Sequence, residues 1–342
     1  MRRNLIAGFV TSALLLAMPL SAQTKAKAQN VPEIPMTSVP NFFKLPPDLY
    51  FGEGIGIATN SKGHIFVYTR SGDTRLFEFD QNGNYVREIG QGVYGLEFAH
   101  AVRVDRDDNI WTVDEGTNMV IKFNPEGRVV MVLGRRPEPV AGAFDSTQPA
   151  APPEKYRFGR PTDVTWDPQG NIFVSDGYVN SRVVKYDKNG RFVKSVGTRG
   201  SEPGQMNTPH SITSDAQGNI YVADRGNARV QVFDSDLNLK TIFDTVGNPW
   251  AVCISPGPTQ YLFVSNSNPD ANPAASWAIT GEIYKMELDG RIIGRFGKAG
   301  KGLGEFSTVH EIDCRNPNEL FVAEITAWRV QKILLRPTSS AR

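Results

Sequence analysis

The chain has 342 residues, with 37 Lys and Arg against 36 Asp and Glu and only four histidines. This net charge of +1 gives no support for nucleic-acid binding, which needs a strong basic excess, and the 40% hydrophobic content is too high for a disordered chain. Two cysteines cannot build a disulfide scaffold.

The N-terminus has the layout of a secretory signal peptide. Arg2 and Arg3 precede an apolar run from Leu5 to Leu20, and small residues follow as far as Ala28. We therefore predict a signal peptide and short leader over residues 1–28 and an exported protein, periplasmic or secreted. The run is short for a membrane span, which needs about 20 residues, so an uncleaved anchor is the weaker alternative. We expect no stable membrane span after cleavage.

A short pattern recurs along the rest of the chain. Residues 105–114, 167–176 and 215–224 each contain a polar turn with Gly or Asn, followed by an apolar strand that ends at an acid. A third strand follows in each unit and, after a second tight turn, a fourth strand, as at residues 192–196. Four short strands per unit, repeated at roughly forty to sixty residues, are typical of a β-propeller blade.

The number of units predicts an all-β, six-bladed propeller over residues 42–335, with four antiparallel strands per blade, a linker at 29–41 and a tail at 336–342. The sixth unit lacks a fourth strand, because the chain ends soon after Ile333. We predict that an N-terminal strand within residues 42–51 closes this last blade, which leaves no exposed sheet edge. The units begin near Ile55, His100, Thr162, His210, Trp250 and His310.

Three of the four histidines fall in one register of the repeat. His100, His210 and His310 each lie ten residues before the start of the second strand in units two, four and six. Alternate blades of a six-bladed ring sit about 120° apart, so we expect the three imidazoles to converge on the central channel. Three histidines with room for an exchangeable ligand are the usual layout of catalytic zinc. A single such histidine would more often be structural, and His64 is interpreted as a turn residue.

Residues that follow the second strand of a blade return to the end of the channel where the first strand began. Arg70, Tyr178 and Arg225 occupy this position, so we expect them near the metal. A tyrosine beside a cation can act as a general base, and an arginine can hold a carboxylate through two hydrogen bonds. The alternative is a salt-bridge network of these residues with Asp176 and Asp224.

Four short strings carry a family resemblance: Pro161-Thr-Asp-Val164, Phe173-Val-Ser-Asp-Gly-Tyr-Val-Asn-Ser-Arg182, Pro209-His-Ser211 and Val222-Ala-Asp-Arg225. They resemble peptidyl-α-hydroxyglycine α-amidating lyase, a six-bladed propeller of the NHL-repeat class, and the second string is the most specific. The likeness covers about residues 50 to 335 and is densest in units three and four.

The resemblance implies a reaction and a set of site residues. The reaction is cleavage of a small peptide ending in α-hydroxyglycine, or of a related α-hydroxy amide, to an amide and glyoxylate. We expect the protein to be a monomer. The resemblance implies zinc ligands, a catalytic tyrosine and active-site arginines at His100, His210, His310, Tyr178, Arg70 and Arg225. It also implies a structural calcium ion held by the carbonyls of Ile57 and Val102 and the carboxylate of Glu311, where the family usually has Asp.

Other interpretations stay open. One is a non-catalytic NHL propeller that binds a peptide or protein in the cell envelope. Another is a metal-dependent hydrolase on the same scaffold, which the three-histidine register disfavours because such sites rely on carboxylate ligands. Long insertions at 135–160 and 265–281 are predicted on the metal face, as substrate-binding lids or as plain surface loops. Cys253 and Cys314 lie in adjacent units, but no spacing argument pairs them.

Overall fold

Six four-stranded antiparallel sheets make up the described part of the chain. The computed structural model describes residues 25–136, 154–267, 269 and 273–336. The innermost strand of each sheet contacts the innermost strands of the two neighbouring sheets, so the sheets form a closed ring around a channel. The predicted six-bladed propeller is therefore confirmed.

The blades follow one another along the chain. Blades 1 to 5 take four consecutive strands each, starting with the second strand, and blade 6 takes the last three together with the first. In chain order the strands are β1 (Met36–Val39), β2 (Glu53–Thr59), β3 (Ile65–Ser71), β4 (Asp73–Phe79), β5 (Tyr85–Ile89), β6 (Ala99–Val104), β7 (Ile110–Asp114), β8 (Met119–Phe123), β9 (Val129–Gly134), β10 (Asp163–Trp166), β11 (Ile172–Asp176), β12 (Arg182–Tyr186), β13 (Phe192–Val196), β14 (Pro209–Ser214), β15 (Ile220–Asp224), β16 (Arg229–Phe233), β17 (Leu239–Phe243), β18 (Pro249–Ile254), β19 (Leu262–Asn266), β20 (Glu282–Met286), β21 (Ile292–Phe296), β22 (Val309–Asn316), β23 (Glu319–Glu324) and β24 (Arg329–Leu335).

The recurring turn between the first two strands of a blade is built by one aspartate. The Asp105 carboxylate accepts hydrogen bonds from the backbone N–H of Asp107 at 3.0 Å and of Asn109 at 2.9 Å. Asp167 and Asp215 accept the corresponding bonds in the next two blades. An aspartate that satisfies nearby backbone donors stabilises a tight turn, which explains why this residue type marks the second, third and fourth repeats.

The strand that closes the ring is β1, which pairs antiparallel with β24 and places Met36 opposite Leu335. An N-terminal strand therefore completes blade 6 as predicted, but its placement within residues 42–51 is wrong. The strand lies inside the segment 29–41, which the sequence analysis takes for a linker.

Residues 42–51 pack as an aromatic cluster instead of joining a ladder. The Phe43 ring lies 5.0 Å from the ring of Phe79 in blade 1 and 6.0 Å from that of Phe321 in blade 6. Phe51 lies 5.7 Å from Phe79 in the same cluster. The apolar content that suggested a strand thus fills the junction between the first and last blades.

The residues ahead of β1 run along the outside of the propeller. The Ala28 N–H donates to the Thr245 carbonyl at 3.0 Å, and the Ile34 N–H donates to the Arg295 carbonyl at 2.7 Å. This segment covers outer strands of blades 4 and 5, where unpaired edges would otherwise be exposed. Residues 1–24 of the predicted leader, residues 137–153 of the first insertion and most of the predicted tail lie outside the described residues.

Buried apolar side chains fill the spaces between blades, as where Trp111 of blade 2 packs with Val164 and Tyr186 of blade 3. A disulfide between Cys253 and Cys314 joins the innermost strands of blades 5 and 6, which settles the pairing that the sequence left open. Such bonds persist in oxidising compartments. Within the described ranges, no helix has both the length and the hydropathy that a bilayer span requires.

Candidate metal centre

The three histidines of the predicted metal site meet in the channel. His100, His210 and His310 lie in β6, β14 and β22, and one nitrogen from each ring lies within 4.8 Å of the others. A β-bulge interrupts each strand at the histidine, since the pairing jumps from Ala99 to Ala101 around His100 and likewise around the other two. A bulge re-aims the side chain that it carries, and here it turns each imidazole from the sheet toward the axis.

A backbone carbonyl from a neighbouring blade fixes the tautomer of each histidine. Each Nδ1 lies within hydrogen-bond distance of a carbonyl oxygen, which can only accept, so each Nδ1 carries the proton. The distances are 2.5 Å from His100 to Thr162, 2.8 Å from His210 to Trp250 and 2.9 Å from His310 to Ile55. Each Nε2 therefore keeps its lone pair for a ligand in the channel.

The residues that supply the three carbonyl acceptors occupy the histidine position of the odd-numbered blades. In blade 5, Pro249 pairs with Asn266, just as Pro209 pairs with Asp224 in blade 4, so Trp250 corresponds to His210. Ile55 and Thr162 stand at the matching places in blades 1 and 3. Even blades thus supply imidazoles, and odd blades supply the acceptors that orient them.

The surroundings keep the imidazoles neutral. Burial lowers the pKa of all three well below 6.5, and the positive charge of Arg225 lowers each of them further. The charge of Arg70 has the same effect on the pKa values of His100 and His310. The Nε2 atom of His210 is buried and has no hydrogen-bond partner among the described residues. A buried polar atom without a partner destabilises a fold unless a ligand satisfies it. Three neutral, converging imidazoles fit a zinc ion, which would be held by the Nε2 atoms.

Tyr178 lies beside this cluster, in the turn after β11. Its hydroxyl is 3.2 Å from Nε2 of His100, and its ring centroid is 6.0 Å from that of His210. The preceding residue permits this approach because a Cβ on Gly177 would lie 2.0 Å from the carbonyl oxygen of Pro209. The structure therefore places a hydroxyl at hydrogen-bonding distance from one of the three nitrogens that would bind the metal.

Two arginines flank the Tyr178 ring. The guanidinium carbon of Arg225 lies 5.5 Å from the Tyr178 centroid and 4.1 Å from the Trp250 centroid. No carboxylate among the described residues pairs with Arg225. Arg160 lies 4.7 Å from the Tyr178 centroid and binds Glu115 at 3.1 Å. The sequence did not indicate Arg160, which ends an insertion. It did not indicate either that Trp250 contacts both His210 and Arg225, although an alignment of the six units places Trp250 at the histidine position.

Arg70 is held more firmly than the other two arginines. It contacts Glu53 at 2.8 Å and Glu115 at 3.4 Å, donates to the carbonyl of Ala99 at 3.3 Å, and stacks on Phe98 at 3.9 Å. Burial raises the pKa of Glu115, although the charges of the nearby arginines oppose that shift. Arg70 therefore brings a fixed positive charge to the metal face.

The alternative salt-bridge network with Asp176 and Asp224 is wrong. Asp176 binds Arg182 at 2.9 Å, and Asp224 binds Arg229 at 2.7 Å. Each acid ends the second strand of its blade and pairs with the arginine that begins the third strand. These pairs link the second and third strands within a blade. Arg70 and Arg225 make the separate contacts described above.

The three predicted calcium ligands also come together, below the histidines. The N–H groups of Ile57 and Val102 both donate to Oε2 of Glu311 at 3.2 Å. The guanidinium of Arg103 lies in the same place, with its Nε atom 3.0 Å from Oε1 of Glu311. Burial raises the pKa of Glu311 well above 4.5, against the opposing effect of Arg103. A fixed cation thus already faces the carboxylate that a calcium ion would need.

The described ends of both long insertions reach the metal face. Arg160 at the end of the first contacts Tyr178, as described above. In the second, the Ser267 hydroxyl donates to the carbonyl of Val309, which precedes His310, at 2.7 Å. The Gly281 N–H donates to Asn266 at 2.9 Å and closes that insertion. Both insertions therefore begin or end beside the histidine cluster.

Comparison with known proteins defines the class of the fold. A family model of the NHL repeat matches residues 206–233, which include β14 to β16 of blade 4. A solved streptogramin B lyase superposes with a TM-score of 0.56 at 15% identity, over 89% of this chain and 98% of that chain, which shows the shared propeller fold alone. The chain is an NHL-repeat β-propeller with a buried three-histidine cluster.

Curated relatives narrow this class. The chain is 29% identical over 294 residues to a peptidylglycine alpha-amidating monooxygenase of Rattus norvegicus, a match that covers 79% of this chain and 28% of the relative. It is also 29% identical over 218 residues to a probable peptidyl-alpha-hydroxyglycine alpha-amidating lyase of Caenorhabditis elegans, covering 56% of this chain and 58% of that protein. The chain spans less than a third of the first relative. By sequence, it is similar to lyase-like NHL propellers.

Proposed function

We propose that this chain is a zinc-dependent lyase that cleaves the C–N bond of a peptidyl-α-hydroxyglycine, or of a related small α-hydroxy amide. The products are a C-terminal amide and glyoxylate. The observation that carries the proposal is the Tyr178 hydroxyl, 3.2 Å from Nε2 of His100 in a cluster of three neutral histidines. The relatives named as amidating lyases support the same reaction class.

The reaction needs one proton to leave the substrate hydroxyl and one to reach the departing nitrogen. The C–N bond breaks, the C–O bond becomes the aldehyde of glyoxylate, and the nitrogen becomes the amide NH2. Zinc at the three Nε2 atoms would act as a Lewis acid that lowers the pKa of the substrate hydroxyl. No redox partner or hydrolytic water is required, because the electrons of the C–N bond remain on the nitrogen.

Tyr178 is the proposed general base. A tyrosine takes a proton near neutral pH only if nearby positive charge lowers its pKa from about 10. Arg160 and Arg225 lie 4.7 Å and 5.5 Å from the ring, and both would stabilise the phenolate. After C–N cleavage the same phenol can return its proton to the amide nitrogen, so one residue serves both transfers.

Arg225 is the proposed partner of the substrate carboxylate. Its guanidinium stacks on Trp250 and has no carboxylate partner among the described residues. Two parallel N–H donors match the geometry of a carboxylate. Arg70, which Glu53 holds at 2.8 Å, would add a fixed positive charge that favours an anionic substrate.

We further propose that the protein is exported, periplasmic or secreted, and acts as a monomer without nucleic-acid or membrane partners. The predicted leader and the disulfide between blades 5 and 6 support export. The proposed substrate is a small peptide or α-hydroxy amide, because the three histidine nitrogens are buried and lie within 4.8 Å of one another.

Metal analysis combined with a glyoxylate-release assay on an α-hydroxyglycine peptide tests the proposal. We expect about one zinc per chain, glyoxylate release that stops on chelation, and loss of release in Tyr178→Phe with zinc retained. Tyr261→Phe, in the turn at the opposite end of blade 5, is the matched control. Zinc without any glyoxylate release would refute the lyase and favour the non-catalytic binding module. Full activity in Tyr178→Phe would refute the assigned base.

A further inference from the structure

A single arginine lies in the channel directly below the histidine cluster. Arg103 stands three residues after His100 in β6, and its side chain is 13% exposed. Its Nε and Nη2 atoms bind the two carboxylate oxygens of Asp163 at 2.9 Å and 2.6 Å, and Nε also lies 3.0 Å from Glu311. One guanidinium therefore joins two buried carboxylates from blades 3 and 6.

The polar network around Arg103 reaches the innermost strand of every blade. Glu311 of blade 6 accepts from Ile57 of blade 1 and Val102 of blade 2, as described above. The remaining contacts are Arg103 Nη2 to Ser211 Oγ at 3.3 Å, Ser211 Oγ to Asp163 Oδ2 at 2.8 Å, Ile212 N to Asp163 Oδ2 at 3.0 Å and Val252 N to Ser211 Oγ at 3.2 Å. Because Glu311 follows His310 and Ser211 follows His210, this network positions the strands that carry the histidines.

This arrangement does not fit a calcium ion. Calcium takes about six to eight oxygen ligands at about 2.3–2.6 Å. The Ile57 and Val102 carbonyls face the channel, since their N–H groups do and both groups of a residue point to one side of an antiparallel strand. However, Oε2 of Glu311 already accepts two N–H groups, and Oε1, which accepts no hydrogen bond from the described residues, lies 3.0 Å from the Arg103 guanidinium. A divalent ion there would meet a like charge and would orphan two buried donors.

We propose that the guanidinium of Arg103 is the permanent structural cation of this channel and replaces a calcium ion, so that the protein folds and holds zinc without calcium. An arginine keeps its charge at any pH at which the protein is folded, and here its planar fork donates two hydrogen bonds to Asp163 while its charge faces Glu311 at 3.0 Å. Close packing supports the arrangement, because a Cβ on Gly56 would lie 2.8 Å from Oε2 of Glu311. The inference is independent of the reaction proposed for the histidine centre.

The first test measures calcium on the unaltered protein. Purified full-length chain is analysed for calcium and zinc, stripped of metals, and unfolded by heat with no metal, with zinc, with calcium and with both. We expect no bound calcium, a higher Tm with zinc, and a change of less than about 1 °C on adding calcium, because a ligand that does not bind cannot stabilise. One equivalent of calcium in the purified protein, or a rise of several degrees with calcium, would overturn the proposal.

The second test removes the cation. Arg103→Ser leaves Asp163 and Glu311 buried without their partner, so we expect Tm to fall by about 5–8 °C. Arg128→Ser, at an exposed turn between β8 and β9, is the control and should leave Tm unchanged. Equal Tm values for the two variants would contradict the proposal. If Arg103→Ser does not fold, the calcium measurement on the unaltered chain decides.

Discussion

Substitution of Arg225 by methionine separates carboxylate binding from the chemistry at the metal. In the structure, the guanidinium lies 4.1 Å from the Trp250 centroid, and no carboxylate of the described residues neutralises it. Methionine keeps the apolar contact with Trp250 but removes the charge and every N–H donor. The substrate carboxylate then loses its proposed partner, whereas the histidines and Tyr178 remain in place.

The expected magnitude follows from the lost hydrogen bonds. Hydrogen bonds to charged groups contribute about 1.5–3 kcal/mol, and each 1.4 kcal/mol changes a rate ratio tenfold, so kcat/KM should fall by about 10- to 140-fold. The guanidinium stacks between two rings and is therefore partly withdrawn from solvent, which favours the upper half of this range. If the contact acts equally in the ground and transition states, the loss appears in KM rather than in kcat.

The assay compares two substrates that differ only in the carboxylate. Release of the aldehyde product is measured for an α-hydroxyglycine peptide and for its C-terminal amide, which has no charge for Arg225 to bind. We expect Arg225→Met to lower kcat/KM for the first substrate and to leave the second nearly unchanged. Arg128→Met serves as a control for the loss of a surface charge. An equal loss for both substrates would refute the assignment, because the arginine would then act on the reaction centre and not on the carboxylate.

Three further predictions concern the metal, the tyrosine and the disulfide. His210→Ala should weaken zinc binding by more than about 100-fold and abolish the rise of Tm with zinc; an unchanged zinc response would exclude His210 as a ligand. Gly177→Ala places a Cβ 2.0 Å from the Pro209 carbonyl, so it should lower glyoxylate release while zinc content stays normal; full activity would show that the position of Tyr178 is not critical. Replacing Cys253 and Cys314 together by Ala opens a loop with a sequence separation of 61 residues and should lower the free energy of unfolding by about 4 kcal/mol in urea denaturation; an unchanged urea midpoint would contradict this entropic estimate.

The repeat made the fold and the histidine cluster predictable from the sequence. Blades 2 to 4 repeat the same turn chemistry, with one aspartate that binds the backbone N–H groups two and four residues later, as at Asp105, and Asn60 does the same in blade 1. Because that turn fixes the register of the first two strands, residues at the same distance before the second strand lie at the same height in the channel. Three histidines that each lie ten residues before the second strand of alternate units are therefore expected to converge on the axis. In the structure, one nitrogen from each lies within 4.8 Å of the others.

The closing strand and the flanking arginines were harder to predict, for two physical reasons. The strand β1 has four residues and pairs on one side only, so it carries no alternating pattern, whereas the aromatic residues of 42–51 imitate one. Arg160 and Arg103 act through contacts between blades. A repeat shows which positions are equivalent in every blade. Arg160 and Arg103 each occur in one blade only, so the repeat does not indicate their contacts.

The alternation of blades explains how a six-fold scaffold makes a three-fold metal site. With imidazoles in even blades only, each Nδ1 finds a carbonyl of the next odd blade, at Thr162, Trp250 or Ile55. At the odd position, only the backbone carbonyl orients the metal ligand. The side chain of that residue can therefore make other contacts. Trp250 illustrates this, because its carbonyl orients His210 while its ring supports Arg225. The same position thus sets the metal ligand through its backbone and the substrate contact through its side chain.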